Sequence, residues 1–328
     1  MTFVTTHFLQ PYIQYTISIT LCKLYIKLRK LYLLMKVVWK ILLMRLFFTQ
    51  LFVSEQKQIA YMADEKSPTL ILHRLFTINC SETRIIMNDY IIITGASRGI
   101  GRAIAIKFAK AKYPVIIVSK NNYDDLLNAK KEIESYGSTC YAYKCDVSSY
   151  DELLNLKKSL ENLKIYVSCL INNAGICDFG LFQDLDITTW NNIIATNLSS
   201  VFYMSKIFIP DMLHLQKGSI INISSVWGNV GASCEVAYSA SKGGVNSLTK
   251  ALAKELAPSH INVNAVACGA IDTTMNSRLT PEEKTDLEEE IPYGRMGTCE
   301  EVANLVYNIF NSPDYLTGQI ITFDGGWT

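Results

Sequence analysis

From Tyr90 onward, short runs of apolar, β-branched residues alternate with longer stretches in which apolar positions recur every three or four residues. The runs are Tyr90–Thr94 (YIIIT), Val115–Val118 (VIIV), Ser168–Asn172 (SCLIN), Ser219–Ile223 (SIINI), Ile261–Ala265 (INVNA) and Gln319–Phe323 (QIITF). They carry no charged side chain, as strands covered on both faces must, and are predicted to form a parallel sheet. Helices are predicted over Ile100–Ala111, Tyr123–Tyr136, Tyr150–Asn162, Asp186–Asp211, Ala237–Ala257 and Cys299–Phe310. Strand–helix alternation over this length specifies an α/β class: one doubly wound domain with right-handed crossovers. No internal repeat or linker interrupts residues 87–328, which are read as a single domain.

Residues 1–86 follow no such pattern. They contain 11 Lys/Arg against 4 Asp/Glu and no glycine, whereas all 17 glycines lie after position 94. Leu31–Val53 is apolar, but Lys36, Lys40 and Arg45 interrupt it, and each costs about 2.5–3.5 kcal/mol near the centre of a spanning helix. Lys36 and Lys40 fall on one side of a helical projection, with Lys23, Lys27, Lys30 and Arg45 on the other. The stretch therefore has no single polar face to lie on a membrane surface. Three readings stay open: a targeting segment, a membrane anchor, or a non-domain extension translated from upstream sequence. The third is taken as the expectation, with Met87 as the working start, because Met87 sits just before the first strand.

The 328 residues are 49% hydrophobic and 19% charged, with a net charge of +1. That is globular composition with no basic excess for nucleic acid. Nine cysteines form no C-x-x-C pair, which fits free thiols in a reducing compartment, and a cytoplasmic location is expected. His7, His73, His214 and His260 are widely separated, so no metal site is expected.

Chemistry enters at the end of the first strand. Thr94-Gly95-Ala96-Ser97-Arg98-Gly99-Ile100-Gly101 joins that strand to a helix. Such glycines permit a tight turn and close backbone approach to a pyrophosphate, whose charge meets the helix N-terminus. A dinucleotide is therefore expected. A site for NAD usually places a carboxylate at the end of the second strand. Here the chain reads Val118-Ser119-Lys120-Asn121, with no acid. Arg98 and Lys120 are expected to meet a ribose 2′-phosphate instead, making the cofactor NADP(H); the plainer alternative is two solvated surface cations. Downstream, Tyr238 and Lys242 project from one helix face. A free phenol titrates near about 10, and Lys242 is expected to favour its phenolate. Ser225 ends a strand earlier in the chain, and Asn197 lies in the helical pattern after Trp190.

Read together, these motifs resemble the short-chain dehydrogenase/reductase family across residues 87–328, and within it the 3-oxoacyl-acyl-carrier-protein reductases. The matching stretches are TGASRGIGRAIA (94–105), INNAG (171–175), TNLSSVF (196–202), ISS (223–225), YSASKGG (238–244) and the GRMGT…EEVA…LTGQIITFDGGW ending. The resemblance implies a Rossmann-type fold and an NADPH-dependent reduction of a carbonyl. It implies a catalytic set of Asn197, Ser225, Tyr238 and Lys242. Tyr238 would protonate the carbonyl oxygen, Ser225 would orient it, Lys242 would hold the nicotinamide ribose and Asn197 would keep a relay water. It also implies that Gly95, Ser97, Arg98, Gly99, Ile100 and Gly101 bind cofactor phosphates and ribose. Asp146 and Val147 would hold the adenine, Asn173, Ala174 and Gly175 the adenosine ribose, and Ile271 and Thr273 the nicotinamide side. A homotetramer is implied as well.

The chain departs from the family in one place, with Cys268-Gly269 where Pro-Gly is usual. Cys234 lies between Ser225 and Tyr238, and a packing role is expected for both thiols. The Cys268–Asn276 stretch also resembles reductases of a ketone carried on a modified lysine of elongation factor P. Reduction of 3-oxoacyl thioesters in fatty acid synthesis is the expected function. The alternatives are that lysine-borne ketone, a membrane-attached reductase of lipophilic alcohols, and a nucleotide-binding protein without catalysis. Substrate choice is expected to lie in Thr274–Pro292, where Leu279–Glu290 reads as an acidic, helix-forming lid.

Overall fold

The computed structural model describes residues 90–276 and 279–328, so every expectation placed on residues 1–86, and the start at Met87, lies outside the described residues. Seven strands form one parallel sheet. They are β1 (Tyr90–Thr94), β2 (Val115–Ser119), β3 (Cys140–Lys144), β4 (Val167–Asn172), β5 (Gly218–Ser225), β6 (Ile261–Cys268) and β7 (Ile320–Phe323). Their order, β3-β2-β1-β4-β5-β6-β7, reverses direction between β1 and β4, and the crevice beyond their C-terminal ends is where doubly wound sheets bind ligands.

The sheet is filled on both faces. Helices α1 (Gly99–Lys110), α2 (Tyr123–Ser135) and, at the end of the chain, Cys299–Phe310 cover one face through Ile104, Phe108, Ile133 and Val306. Helix α3 (Tyr150–Asn162) and two later helices cover the other through Leu153, Met204, Phe208 and Leu256. Those two core faces explain why β1, β2 and β4 read as continuous apolar runs: burial leaves no solvated side to alternate toward.

Three sequence expectations are corrected. The strand β3 was absent from the predicted set because it is the sheet edge; only Cys140 is fully buried, and Tyr141, Tyr143 and Lys144 dilute the apolar signal. The helix expected over Asp186–Asp211 is instead α4 (Ile187–Ile194), a π-helical turn (Ala195–Ser199) and α5 (Ser200–Leu215). It continues through Pro210, and Ile187–Leu215 is long and apolar enough to cross a membrane by composition; here Met204, Phe208 and Met212 pack into the core. Finally, β5 and β6 run longer than expected, which pairs Ser225 with Cys268 at the C-terminal edge. Beyond β5 follow the short α6 (Trp227–Val230) and the long α7 (Val236–Leu256). Helix α8 (Pro281–Glu290) matches the acidic helix expected within Leu279–Glu290, and Cys299–Phe310 is α9.

Candidate active site

The glycine turn is locked from beneath by the segment after β4. Thr94 Oγ1 accepts from the backbone N–H groups of Asn173 and Ala174, both at 3.0 Å. The Asn173 amide donates to the carbonyls of Thr94 (2.9 Å) and Gly95 (3.2 Å). Gly95 needs its positive φ of +66°, and a Cβ there would sit 2.9 Å from Ala174 Cα. At Gly101 a Cβ would meet the Gly95 carbonyl at 2.4 Å and Asn173 Nδ2 at 2.5 Å. Thr273 comes across the crevice, its methyl 3.8 Å from where a Gly99 Cβ would be.

Arg98 is the N-cap of α1, makes no side-chain cap, and is exposed; no acid occupies the first turn. The N–H groups of that turn and the positive end of the helix are thus available to an anion. This cradle suits a pyrophosphate on geometric grounds. At the end of β2, the Ser119 and Ser97 hydroxyls are 3.3 Å apart. Lys120 is ion-paired to Asp146 at 2.7 Å. Asp146 also accepts from Ser148 N–H (2.9 Å) and hydroxyl (2.7 Å). Burial pushes the Asp146 pKa up, but its bonds to Lys120 and Ser148 prevail and hold it below the usual range. Two side chains expected to touch different parts of a cofactor therefore hold each other. Val147 and Ile271 are buried in the two core clusters, and Ile100 packs against the latter's cluster from α1.

At the other end of the crevice, Ser225, Tyr238 and Lys242 converge. The Ser225 hydroxyl stands near enough to the Tyr238 phenol to hold its pKa down, and Ser225 Oγ accepts from Trp227 N–H at 3.2 Å. Lys242 Nζ donates to the Ile223 carbonyl at 2.8 Å and lies 5.5 Å from the Tyr238 ring centroid. A Cβ on Gly175 would be 3.6 Å from that Nζ and 3.4 Å from Asn197 Oδ1, so the segment after β4 forms the floor between them.

Burial is the largest influence on both titrating groups. Burial pushes the Tyr238 phenol well above its ordinary value, with Cys177, Cys268 and Glu235 adding to the rise; the nearby Ser225 hydroxyl opposes it. Burial pushes Lys242 down to about 8, partly offset by Cys268 and Cys177. Its ammonium is aimed at a backbone carbonyl and stands over the ring face, and desolvation of the phenol outweighs it.

Asn197 stands in the π-helical turn, a feature often found at functional sites. Its Oδ1 accepts from Ile176 N–H (2.8 Å), while Nδ2 donates to the Ile176 carbonyl (2.8 Å) and to Ser241 Oγ (3.1 Å). Both Nδ2 donors are committed, so the side chain fixes Ile176 and ties the turn to α7. The thiol expectations hold in part: Cys268 is buried, whereas Cys234 is half-buried with φ +61°.

Sequence reasoning passed over a ladder of polar side chains under α7. Asn172 Nδ2 donates to Asn222 Oδ1 (2.9 Å), and Asn222 Nδ2 donates to Thr249 Oγ1 (2.8 Å). Ser224 Oγ donates to Asn246 Oδ1 (2.6 Å). These bonds set the helix that carries Tyr238 and Lys242 onto β5. The signal was present as asparagines inside apolar strands, which must find partners.

The short chain dehydrogenase family matches residues 89–284. An uncharacterized oxidoreductase of Bacillus subtilis, YmfI, is 37% identical over 243 residues, covering 74% of this chain and 99% of that protein. The 3-oxoacyl-acyl-carrier-protein reductase FabG of Aquifex aeolicus is 37% identical over 236 residues, covering 72% of this chain and 95% of the relative. A crystal structure of a putative gluconate dehydrogenase from Agrobacterium tumefaciens superposes with a TM-score of 0.69 at 32% identity, covering 73% of this chain and 95% of that one. With a glycine cradle at one end of the crevice and a Ser–Tyr–Lys cluster at the other, the chain belongs to the short-chain dehydrogenase family of nicotinamide-dependent oxidoreductases.

Proposed function

We propose that the protein is an NADP(H)-dependent carbonyl reductase whose substrate is a 3-oxoacyl thioester of fatty acid synthesis. The observation that carries the reaction type is the convergence of the half-buried Tyr238 phenol with Ser225 and Lys242 at the end of the crevice. Reduction needs a proton donor at that position. When bound, the reduced nicotinamide supplies a hydride to the carbonyl carbon. Tyr238 gives its proton to the carbonyl oxygen as negative charge develops there, and the Ser225 hydroxyl donates to the same oxygen. Both interactions strengthen toward the alkoxide and so lower the barrier instead of merely tightening binding. Lys242, whose Nζ reaches the crevice floor at Gly175, holds the nicotinamide ribose. Asn197, through Ile176, fixes the wall opposite.

Preference for the phosphorylated cofactor is supported by the lack of an acid within Val118-Ser119-Lys120-Asn121, where β2 ends. A 2′-phosphate there meets Arg98 and the paired hydroxyls of Ser97 and Ser119, with Lys120 steadied by Asp146. The catalytic unit in this reading is 87–328, cytoplasmic and homotetrameric. Exposed Ile187 on α4 and Phe202 on α5 support the packing of subunits through those helices. Mass spectrometry of the native N-terminus tests the start: a peptide beginning at Met87 or Asn88 supports it, and one beginning upstream refutes it.

A second reading, reduction of a ketone carried on a modified lysine of elongation factor P, is favoured by the charge of α8. Its sequence, Pro281-Glu-Glu-Lys-Thr-Asp-Leu-Glu-Glu-Glu290, has one base among six acids. Lys284 lies 3.7 Å from Asp272, next to Thr273, which sets this acidic helix beside the crevice. An acidic carrier protein is repelled there and a basic substrate region attracted. The deciding experiment compares NADPH oxidation by the purified enzyme on acetoacetyl thioester, on simple ketones and on a lysine-borne ketone, with NADH as control. A thioester kcat/KM no higher than that of a simple ketone refutes the first reading. Equal rates with NADH refute the cofactor preference.

A further inference from the structure

Beyond the Ser–Tyr–Lys cluster, the C-terminal tail builds a surface that the reaction itself does not use. Gly269 N–H donates to the Phe323 carbonyl at 2.9 Å, which brings the end of β7 alongside the segment after β6. A Cβ at Gly269 would lie 2.6 Å from Asp324 Cβ, so the tail is pressed against the position that follows Cys268. Asp324 then folds the last residues back. One carboxylate oxygen accepts from Gly326 N–H at 3.0 Å, and the other from the Thr328 N–H (2.9 Å) and hydroxyl (3.0 Å). Gly325 and Gly326 take φ values of +68° and +85°, and Tyr293 N–H donates to the Gly325 carbonyl at 3.2 Å. The turn holds Trp327 against Trp227, with ring centroids 4.9 Å apart and planes inclined by 60°.

Trp227 is not a remote partner. Its own N–H is bonded to Ser225 Oγ. The next residue, Gly228, presses on the Lys242 backbone, where a Cβ would be 2.7 Å from the carbonyl carbon. The indole pair is therefore attached on one side to the group that orients the carbonyl and on the other to a tail with two left-handed glycines and an Asp clasp. Both indoles are half-buried, and Tyr293, bonded to the Gly325 backbone, is 70% exposed. Two tilted aromatic faces at the edge of a crevice offer contact to a linear aliphatic chain, and burying such a chain against them is favourable by area alone.

We propose that the Trp227–Trp327 pair is the recognition surface for the aliphatic arm that carries the ketone, with Asp324 as a positioning residue that holds Trp327 in place. This deepens, and rests on, the carbonyl reductase reading. A pantetheine-like thioester and a lysine side chain share the arm chemistry; they differ in charge.

The test uses the full-length enzyme and three ketones: butanone, an acetoacetyl pantetheine-like thioester, and a lysine peptide bearing a ketone on its side-chain amine. Trp327→Ala is expected to raise KM about tenfold for whichever arm-borne ketone the native enzyme uses, with butanone kcat/KM unchanged within about twofold. Trp327→Phe keeps most of the native KM, and Asp324→Asn reproduces the Trp327→Ala pattern. In parallel, the arm-borne ketone quenches native tryptophan fluorescence saturably, and Trp327→Ala abolishes the quenching. An equal loss on butanone assigns the pair a structural role and overturns the proposal, as does an unchanged KM on the arm-borne substrates. If the native enzyme oxidises NADPH with none of the three, the reductase reading fails. The fluorescence titration then still decides the pair: saturable quenching supports it, and its absence refutes it.

Discussion

Lys242 Nζ donates to the carbonyl of Ile223 at 2.8 Å, so the ammonium next to the phenol is anchored on the β5 backbone. Burial lowers its pKa to about 8, whereas the unfolded lysine titrates near about 10.4. Between those values the unfolded chain carries a proton that the folded one has released. Stability contributed by this group therefore rises as pH climbs from 8 toward the unfolded value. Lys242→Met, which keeps the stem and removes the titrating amine, should lose that rise. Urea midpoints of both proteins at about pH 7 and about pH 9.5 measure it; parallel shifts in the two proteins would contradict the buried, depressed lysine.

Tyr238→Phe removes the proton donor and leaves the cradle around Gly95, Asn173 and Thr94 intact. Turnover should fall by about 10²–10⁴ while the NADPH dissociation constant stays close to native. Fluorescence titration of the cofactor and steady-state NADPH oxidation separate the two effects. Retained turnover would show that the phenol is not the acid.

The fold was readable because its strands are apolar on both faces, and such runs stand out in Ile91–Ile93 and Val115–Val118. Where that condition lapses, legibility lapses with it: β3 has a single fully buried residue and left no usable pattern. The site was legible as a set of motifs, and the Ser225–Tyr238–Lys242 convergence follows from strand end and helix spacing. The electrostatics were not. Counting a lysine one turn from a tyrosine says nothing about desolvation, which sets the direction for both groups. Nor does spacing reveal that Lys120 and Asp146 pair, or that the Asn197 amide is spent on Ile176, because each depends on loops converging from distant segments.

Asn197 is 1% exposed, and replacing it by alanine leaves the Ile176 N–H and carbonyl without their partner and removes a donor from Ser241. Unpaired buried polar groups cost about 1–3 kcal/mol each, so Asn197→Ala should lower the urea midpoint as well as the rate. Asn197→Asp preserves the acceptor for Ile176 N–H but turns the contact with its carbonyl into a repulsion, and should rescue neither property. A variant that loses rate at native stability would instead point to a direct chemical role for the amide.

Gly101 and Gly180 give opposite expectations for the same change. An alanine methyl at Gly101 falls 2.4 Å from the Gly95 carbonyl and 2.5 Å from Asn173 Nδ2, both parts of the turn and its lock. Neither can retreat without opening the cradle, so Gly101→Ala should cost about 1–3 kcal/mol and weaken NADPH binding disproportionately. At Gly180 a Cβ meets nothing within 4 Å and the backbone is not left-handed, so Gly180→Ala should stay within about 0.5 kcal/mol of native and bind cofactor normally. Calorimetric titration of NADPH into both variants, together with their thermal midpoints, tests the contrast. Native cofactor affinity in Gly101→Ala would mean that the Asn173 lock is not what shapes the phosphate turn.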